Sequence, residues 1–332
     1  MEIRGPGDHS RYWAEFEGVV KYMDRITGYS QSTGFILAAC LGAACLLAAC
    51  SLPATITSER RALLIGINDY IFNTVDGFRD LEYPRKDAQT LGALLDSQGW
   101  KTDDTTLIDT AATKAKIKAV MEDYFKGIPS NATALVYYSG HGTLDESNAY
   151  IVPSDYQRIT PDRLVSAAEL GGWIEEYILP YTKNVMLIID ACNSGGFVAE
   201  SDSTDLIDPD YDVNLGYSVT TAALSGLSSF SALLAKNMEQ AGSLDPIVMS
   251  AAGFKEESWE SDSLQHGVFT YYLLKAAQNG DANKDGYVSA TEAYTYAAKS
   301  IDKYWNDLYG NSNAFYPHIT GGLRDLVLFD LN

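Results

Sequence analysis

Cysteine, histidine and basic residues are the scarce members of this 332-residue chain. Of the four cysteines, Cys40, Cys45 and Cys50 fall inside one uncharged apolar stretch near the N-terminus. Beyond it Cys192 stands alone, which excludes an intramolecular disulfide framework there. Four histidines leave few choices for a general base. Lysine and arginine total 24 against 44 acidic residues, a net charge of −20. Without a basic stripe to offset phosphate, nucleic acid is excluded as the expected partner. The acidic balance suits basic substrates, Ca²⁺ or simple solvation. Hydrophobic residues make up 46% and charged residues 20%, so the chain can bury a globular core.

Gly34 to Leu52 is uncharged and apolar, yet short for a membrane-spanning helix. Arg25 precedes it, as in the positive region of a secretory signal, and Met23 would make a more ordinary start. Leu47-Ala-Ala-Cys50 is similar to a bacterial lipobox, in which the cysteine is lipidated and becomes the mature N-terminus. The expected organisation is a leader over residues 1–50, a tether over 51–59 and one domain over 60–332. The implied location is the bacterial cell envelope, with lipid on Cys50 and the domain facing the periplasm or exterior. The other reading is an uncleaved signal anchor.

The central stretch is Lys183-Asn-Val-Met-Leu-Ile-Ile-Asp-Ala-Cys-Asn-Ser-Gly-Gly196. An apolar run closed by Asp190 and a glycine turn is how a buried parallel strand ends. Chemistry in α/β sheets sits beyond such strand ends. Cys192 is therefore a candidate nucleophile, or else a buried structural thiol.

Around this stretch the periodicity alternates. Strands are expected at 60–68, 105–108, 133–138 and 246–252, with Tyr150-Ile-Val-Pro153 in a hairpin and 325–329 as a last edge strand. Helices are expected at 84–98, 113–126, 166–177, 267–278 and 291–307. Such βα alternation implies a mostly parallel, helix-covered sheet. Residues 200–238, rich in aspartate, form an acidic insert too long for a plain connection.

A reactive thiol needs a base. His141 lies between two glycines just past the 133–138 strand, at the end equivalent to Cys192. His266 and His318 read as cap or surface residues, and His9 lies in the leader. Backbone amides of Gly142 and Cys192 are the natural oxyanion donors.

Tyr138-Ser-Gly-His-Gly142 with Asp190-Ala-Cys-Asn-Ser-Gly195 resembles the catalytic signature of the caspase superfamily, in the form found in metacaspases and their bacterial relatives. Ala62–Asn68, Lys86-Asp-Ala88 and Gly267–Leu274 add to the resemblance, which spans roughly residues 60–332. Asn193 departs from it, since metacaspases commonly carry histidine there. The resemblance implies a three-layer α/β/α sandwich with a mostly parallel central sheet of about six strands. It implies a monomeric cysteine endopeptidase with a Cys192–His141 dyad, cutting protein or peptide substrates after Arg or Lys. Asp87, Ser139 and Asp190 would hold the basic side chain, a preference suited to carboxylate–guanidinium pairing. Asp190 could instead cap its own turn. Cleavage after Lys236 in the insert would accompany activation. Two further readings are a catalytically silent caspase-fold lipoprotein that binds a partner or Ca²⁺, and an enzyme cutting after Asp.

Asp281-Ala-Asn-Lys-Asp-Gly-Tyr-Val-Ser-Ala-Thr-Glu292 fits the calcium-loop template. Asp281, Asn283, Asp285, Tyr287 (by its carbonyl), Ser289 and Glu292 take the ligand positions, and Gly286 the sharp turn. The same residues also make an Asx-rich turn.

Overall fold

The computed structural model describes residues 58–73, 78–102, 105–144, 149–191, 246–252, 257–309, 314–321 and 326–331. Strands β1 (Arg60–Gly66), β2 (Thr106–Ile108), β3 (Thr133–Ser139), β7 (Asn184–Asp190), β8 (Ile247–Ser250) and β12 (His318–Thr320) form one six-stranded sheet, in the order β12-β8-β7-β3-β1-β2. All neighbours are parallel except β12, which runs antiparallel to β8.

Helices cover both faces. Alternate strand residues feed two separate cores, as a side-chain period of two requires. Leu63, Ile65, Val136, Tyr138, Leu187 and Ile189 pack with α2 (Lys114–Tyr124) and α3 (Ala167–Tyr177). Leu64, Leu135, Tyr137, Met186 and Ile188 pack with α1 (Pro84–Ser97), α4 (Val268–Asn279) and α5 (Ala290–Ile301). This is why the central strands read as unbroken apolar runs rather than alternating ones. Thr113, Ser166 and Ser289 cap α2, α3 and α5 with their side chains. Pro84 opens α1, where its missing N–H costs nothing.

The expected helices stand within a few residues of their read limits, and α5 passes into a π turn at Asp302–Asn306. The hairpin is larger than expected. Strands β4 (Gly142–Leu144), β5 (Ala149–Ile151) and β6 (Val165–Ser166) make a three-stranded antiparallel sheet. The last strand is a correction. β13 (Val327–Asp330) does not edge the central sheet but pairs with β11 (Tyr287–Ser289). The central edge belongs to β12, which the sequence reading passed over. A short ribbon, β9 (Glu260–Ser261) with β10 (His266–Gly267), leads into α4.

Two strand ends set the geometry of the site. β3 and β7 pair in register to their last residues, Ser139 opposite Asp190, and Gly66 of β1 lies opposite Ser139. His141 and Cys192 each follow their strand by two residues.

Candidate functional site

Strand parity distributes the sequence-picked residues. Tyr137, Ser139 and Asp190 share the face under α1 and α4, while Tyr138 faces the opposite core. Asp87, in the first turn of α1, meets Ser139 and Asp190 at this edge. Asp87 is 0% exposed and Asp190 5%.

Each carboxylate is held by three hydrogen bonds. Asp87 Oδ1 lies 2.6 Å from His266 Nδ1. Its Oδ2 accepts from Gly267 N at 3.1 Å and from Ser139 Oγ at 3.2 Å. Asp190 Oδ1 accepts from Ser258 Oγ at 2.7 Å. Its Oδ2 accepts from Thr270 Oγ1 at 2.6 Å and Thr270 N at 3.1 Å. Burial pushes the Asp87 carboxyl up to about 6, with Asp190 adding to the rise and His266 and Gly267 opposing it. Burial also raises the Asp190 carboxyl, against the donors on Thr270 and Ser258. Among the described residues, no lysine or arginine pairs with either carboxylate.

The head of α4 sits on both groups. Gly267 has no side chain with which to cap the helix, and Asp190 accepts the Thr270 amide in its place. Capping is thus a role of Asp190, though it caps α4 rather than its own turn. A Cβ on Gly267 would lie 2.6 Å from Asp190 Oδ2 and 2.9 Å from Asp87 Oδ2. Only glycine lets the backbone pass between the two acids.

Two residues were missed or misread in the sequence. His266 is 9% exposed and bonded to Asp87, not a surface or cap residue. Thr270 is fully buried and bridges Asp190 to the Tyr137 hydroxyl, 2.6 Å from Thr270 Oγ1. The signal for Thr270 was its place in the first turn of the Gly267–Leu274 helix, and for His266 its place directly before that helix. His318 is exposed on β12.

His141 stands on the other side of the same edge. Its amide donates to Tyr70 Oη at 2.8 Å, and its carbonyl accepts from Tyr138 Oη at 2.7 Å. The ring packs against Tyr70 and Phe78, with centroids 5.1 and 4.9 Å away. Nε2 lies 2.8 Å from the Arg79 carbonyl. A carbonyl only accepts, so Nε2 carries the proton and Nδ1 keeps its lone pair. Burial lowers the imidazole pKa, partly offset by the Arg79 carbonyl. Gly142 is buried at the start of β4. Cys192, its amide and residues 200–238 lie outside the described residues, as does Cys50.

The calcium-template residues form one tight loop at the start of α5. Asp281 accepts from Asp285 N at 3.2 Å and Gly286 N at 3.1 Å. Asn283 Oδ1 accepts from Asp285 N at 2.9 Å, and Asp285 Oδ1 from Tyr287 N at 2.9 Å. Glu292 closes a capping box with Ser289 and reaches back to Ala282 N at 3.1 Å. Among the described residues, no three His, Cys, Asp or Glu side chains gather as a metal-holding group.

No curated protein shows significant similarity to the chain. A solved crystal structure of a Geobacter sulfurreducens protein superposes with a TM-score of 0.50 at 15% identity, covering 82% of this chain and 100% of that one. The likeness is one of fold. The caspase-domain family matches residues 59–314, which take in the whole edge just described. With the six-stranded sheet between its two helical layers, this match places the chain in the caspase-domain family, a family of peptidases.

Proposed function

We propose that the chain is a cysteine endopeptidase in which Cys192 is the nucleophile and His141 the base and acid. The observation that carries this reading is the β3–β7 register. Ser139 pairs with Asp190, so His141 and Cys192 leave equivalent strand ends two residues later. In the proposed reaction His141 Nδ1 takes the Cys192 thiol proton, and the thiolate attacks the scissile carbonyl carbon. Amides of Gly142 and Cys192 would receive the oxyanion. His141 then returns the proton to the leaving amine, and water releases the acyl group.

The substrate residue before the scissile bond is proposed to be Arg or Lys. Two buried carboxylates without a lysine or arginine partner among the described residues favour a cationic ligand. The hydroxyl donors Ser139 and Ser258 are the contacts a guanidinium would displace, since each gives a carboxylate only one neutral bond. The test is release from Arg-, Lys- and Asp-ended fluorogenic peptides by wild type and Cys192→Ala. Cys192-dependent release from the basic pair is expected. Its absence from every peptide sinks the enzyme reading, and equal release after Asp sinks the acidic site.

The proposal extends to Ca²⁺ at Asp281, Asn283, Asp285, Tyr287, Ser289 and Glu292. The donors are hard oxygens, as Ca²⁺ requires, and the amides that Asp281 and Glu292 accept aim those carboxylates across one loop. A lipid on Cys50 would hold the domain at the envelope, which mass spectrometry of the mature N-terminus tests. Cleavage near Lys236 would appear as a new N-terminus in incubated protein.

A further inference from the structure

We propose that His266 is a positioning residue for substrate choice: it fixes Asp87 as an ionised, aimed acceptor for a cationic side chain. The inference rests on the basic-residue reading above. It begins from an imbalance. Asp190 has three neutral donors, two of them from Thr270. Asp87 has two neutral donors, each at 3.1 Å or longer, and one short bond, from His266 at 2.6 Å. His266 is therefore the contact on which ionisation of Asp87 depends most. It lies on β10 beside Gly267, so one strand delivers both the donor and the glycine between the acids.

The groups facing Asp87 all favour its neutral form except His266 and two weaker donors. Asp190, from β7, raises the Asp87 carboxyl, while Tyr137, from β3, stays a neutral phenol whose own pKa the two carboxylates raise. Ser139 and the Gly267 amide donate. Glu260 on β9 adds a further carboxylate on the Asp190 side. Lys86, next to Asp87 on α1, is engaged by Gln265 at 3.1 Å. Remove the imidazole, and two buried acids flank one glycine with only neutral amides and hydroxyls. One of them then takes up a proton, and Asp87, with fewer short bonds, is that one. A protonated Asp87 no longer pairs with a cation.

The test separates binding from turnover. Full-length Cys192→Ala protein is titrated with agmatine, which is arginine without its carboxylate, across a pH series. Affinity is expected to rise with pH through an acid limb set by Asp87. In His266→Asn, which keeps one N–H but cannot take charge, the limb is expected to move alkaline. In His266→Leu it moves further, with roughly tenfold weaker agmatine binding at neutral pH for each unit by which the limb passes above pH 7. A circular-dichroism melt establishes that each variant is folded. If the leucine variant does not fold, the asparagine variant decides alone. An unchanged limb in a folded variant overturns the proposal, as does wild-type protein that binds no agmatine. Loss of peptide cleavage with agmatine binding and limb shift intact would instead fault the peptidase reading and leave this one standing.

Discussion

Asp87 is buried at a helix-covered sheet edge, and desolvation outweighs its donors, pushing its carboxyl from 3.8 to about 6. The folded state thus binds this proton more tightly than the unfolded chain. The stability it contributes is full at low pH and is lost as pH rises through that window, roughly 3 kcal/mol in all. Urea denaturation of wild type and Asp87→Asn should show a stability difference that changes between pH 4 and 7. A constant difference would falsify this reading. For His141 the sign is opposite, because burial lowers its pKa below the usual 6.5. In kcat, where the cationic site is already filled, the acid limb is expected below pH 6.5. Tyr70→Phe removes the acceptor of the His141 amide and leaves a buried N–H unpaired, at a cost of about 1–3 kcal/mol. Its expected signature is a fall in kcat with KM little changed. A rise confined to KM would assign Tyr70 to substrate binding instead. His141 was singled out by its place between two glycines at a strand end, whereas Asp87, Ser139 and Asp190 were tied to substrate by the family resemblance. His266 was not legible, because its partner lies 179 positions away.

At the scale of elements, β1 and α1 approach so closely at Gly66 that a Cβ there would stand 2.3 Å from the Pro84 carbonyl. Gly66→Ala must push α1 off the sheet, and Asp87 is carried on that helix. The expected result is a loss of at least ~2 kcal/mol, read by chemical denaturation, together with weaker agmatine binding. Wild-type stability would show that the helix can slide freely. Ser289→Ala removes the cap of α5 and should cost about 1 kcal/mol. The helices were readable because each carries its own apolar period, and all but α4 also begin at a start residue: Pro84, Thr113, Ser166 and Ser289. Strand pairing was less so. β13 has the apolar content of a sheet edge, yet it joins β11, and β12 takes the edge of the central sheet with only three residues. Partner choice for a short strand depends on which edge remains open after the helices dock, and no local pattern records that.

Across the whole molecule the net charge of −20 sets two expectations. Self-repulsion should make the folded protein more stable as NaCl rises from low to physiological ionic strength, read as Tm. Ca²⁺ should act beyond that ionic effect. At a hundredfold excess over Kd it would add about 2.7 kcal/mol, absent in Asp281→Ala. Isothermal titration giving equal heats for wild type and Asp281→Ala would remove the calcium site. The sequence by itself determined the sandwich, because doubly covered strands must be apolar throughout and their helices amphipathic. It also marked the two turns at which the chemistry is proposed, because a reactive group at a strand end needs glycine around it. Only the tertiary structure decided what surrounds Asp87 and Asp190. Their environment is built by α1, β3, β7, β10 and α4, which are remote in sequence, and burial and hydrogen bonding arise only where those elements meet.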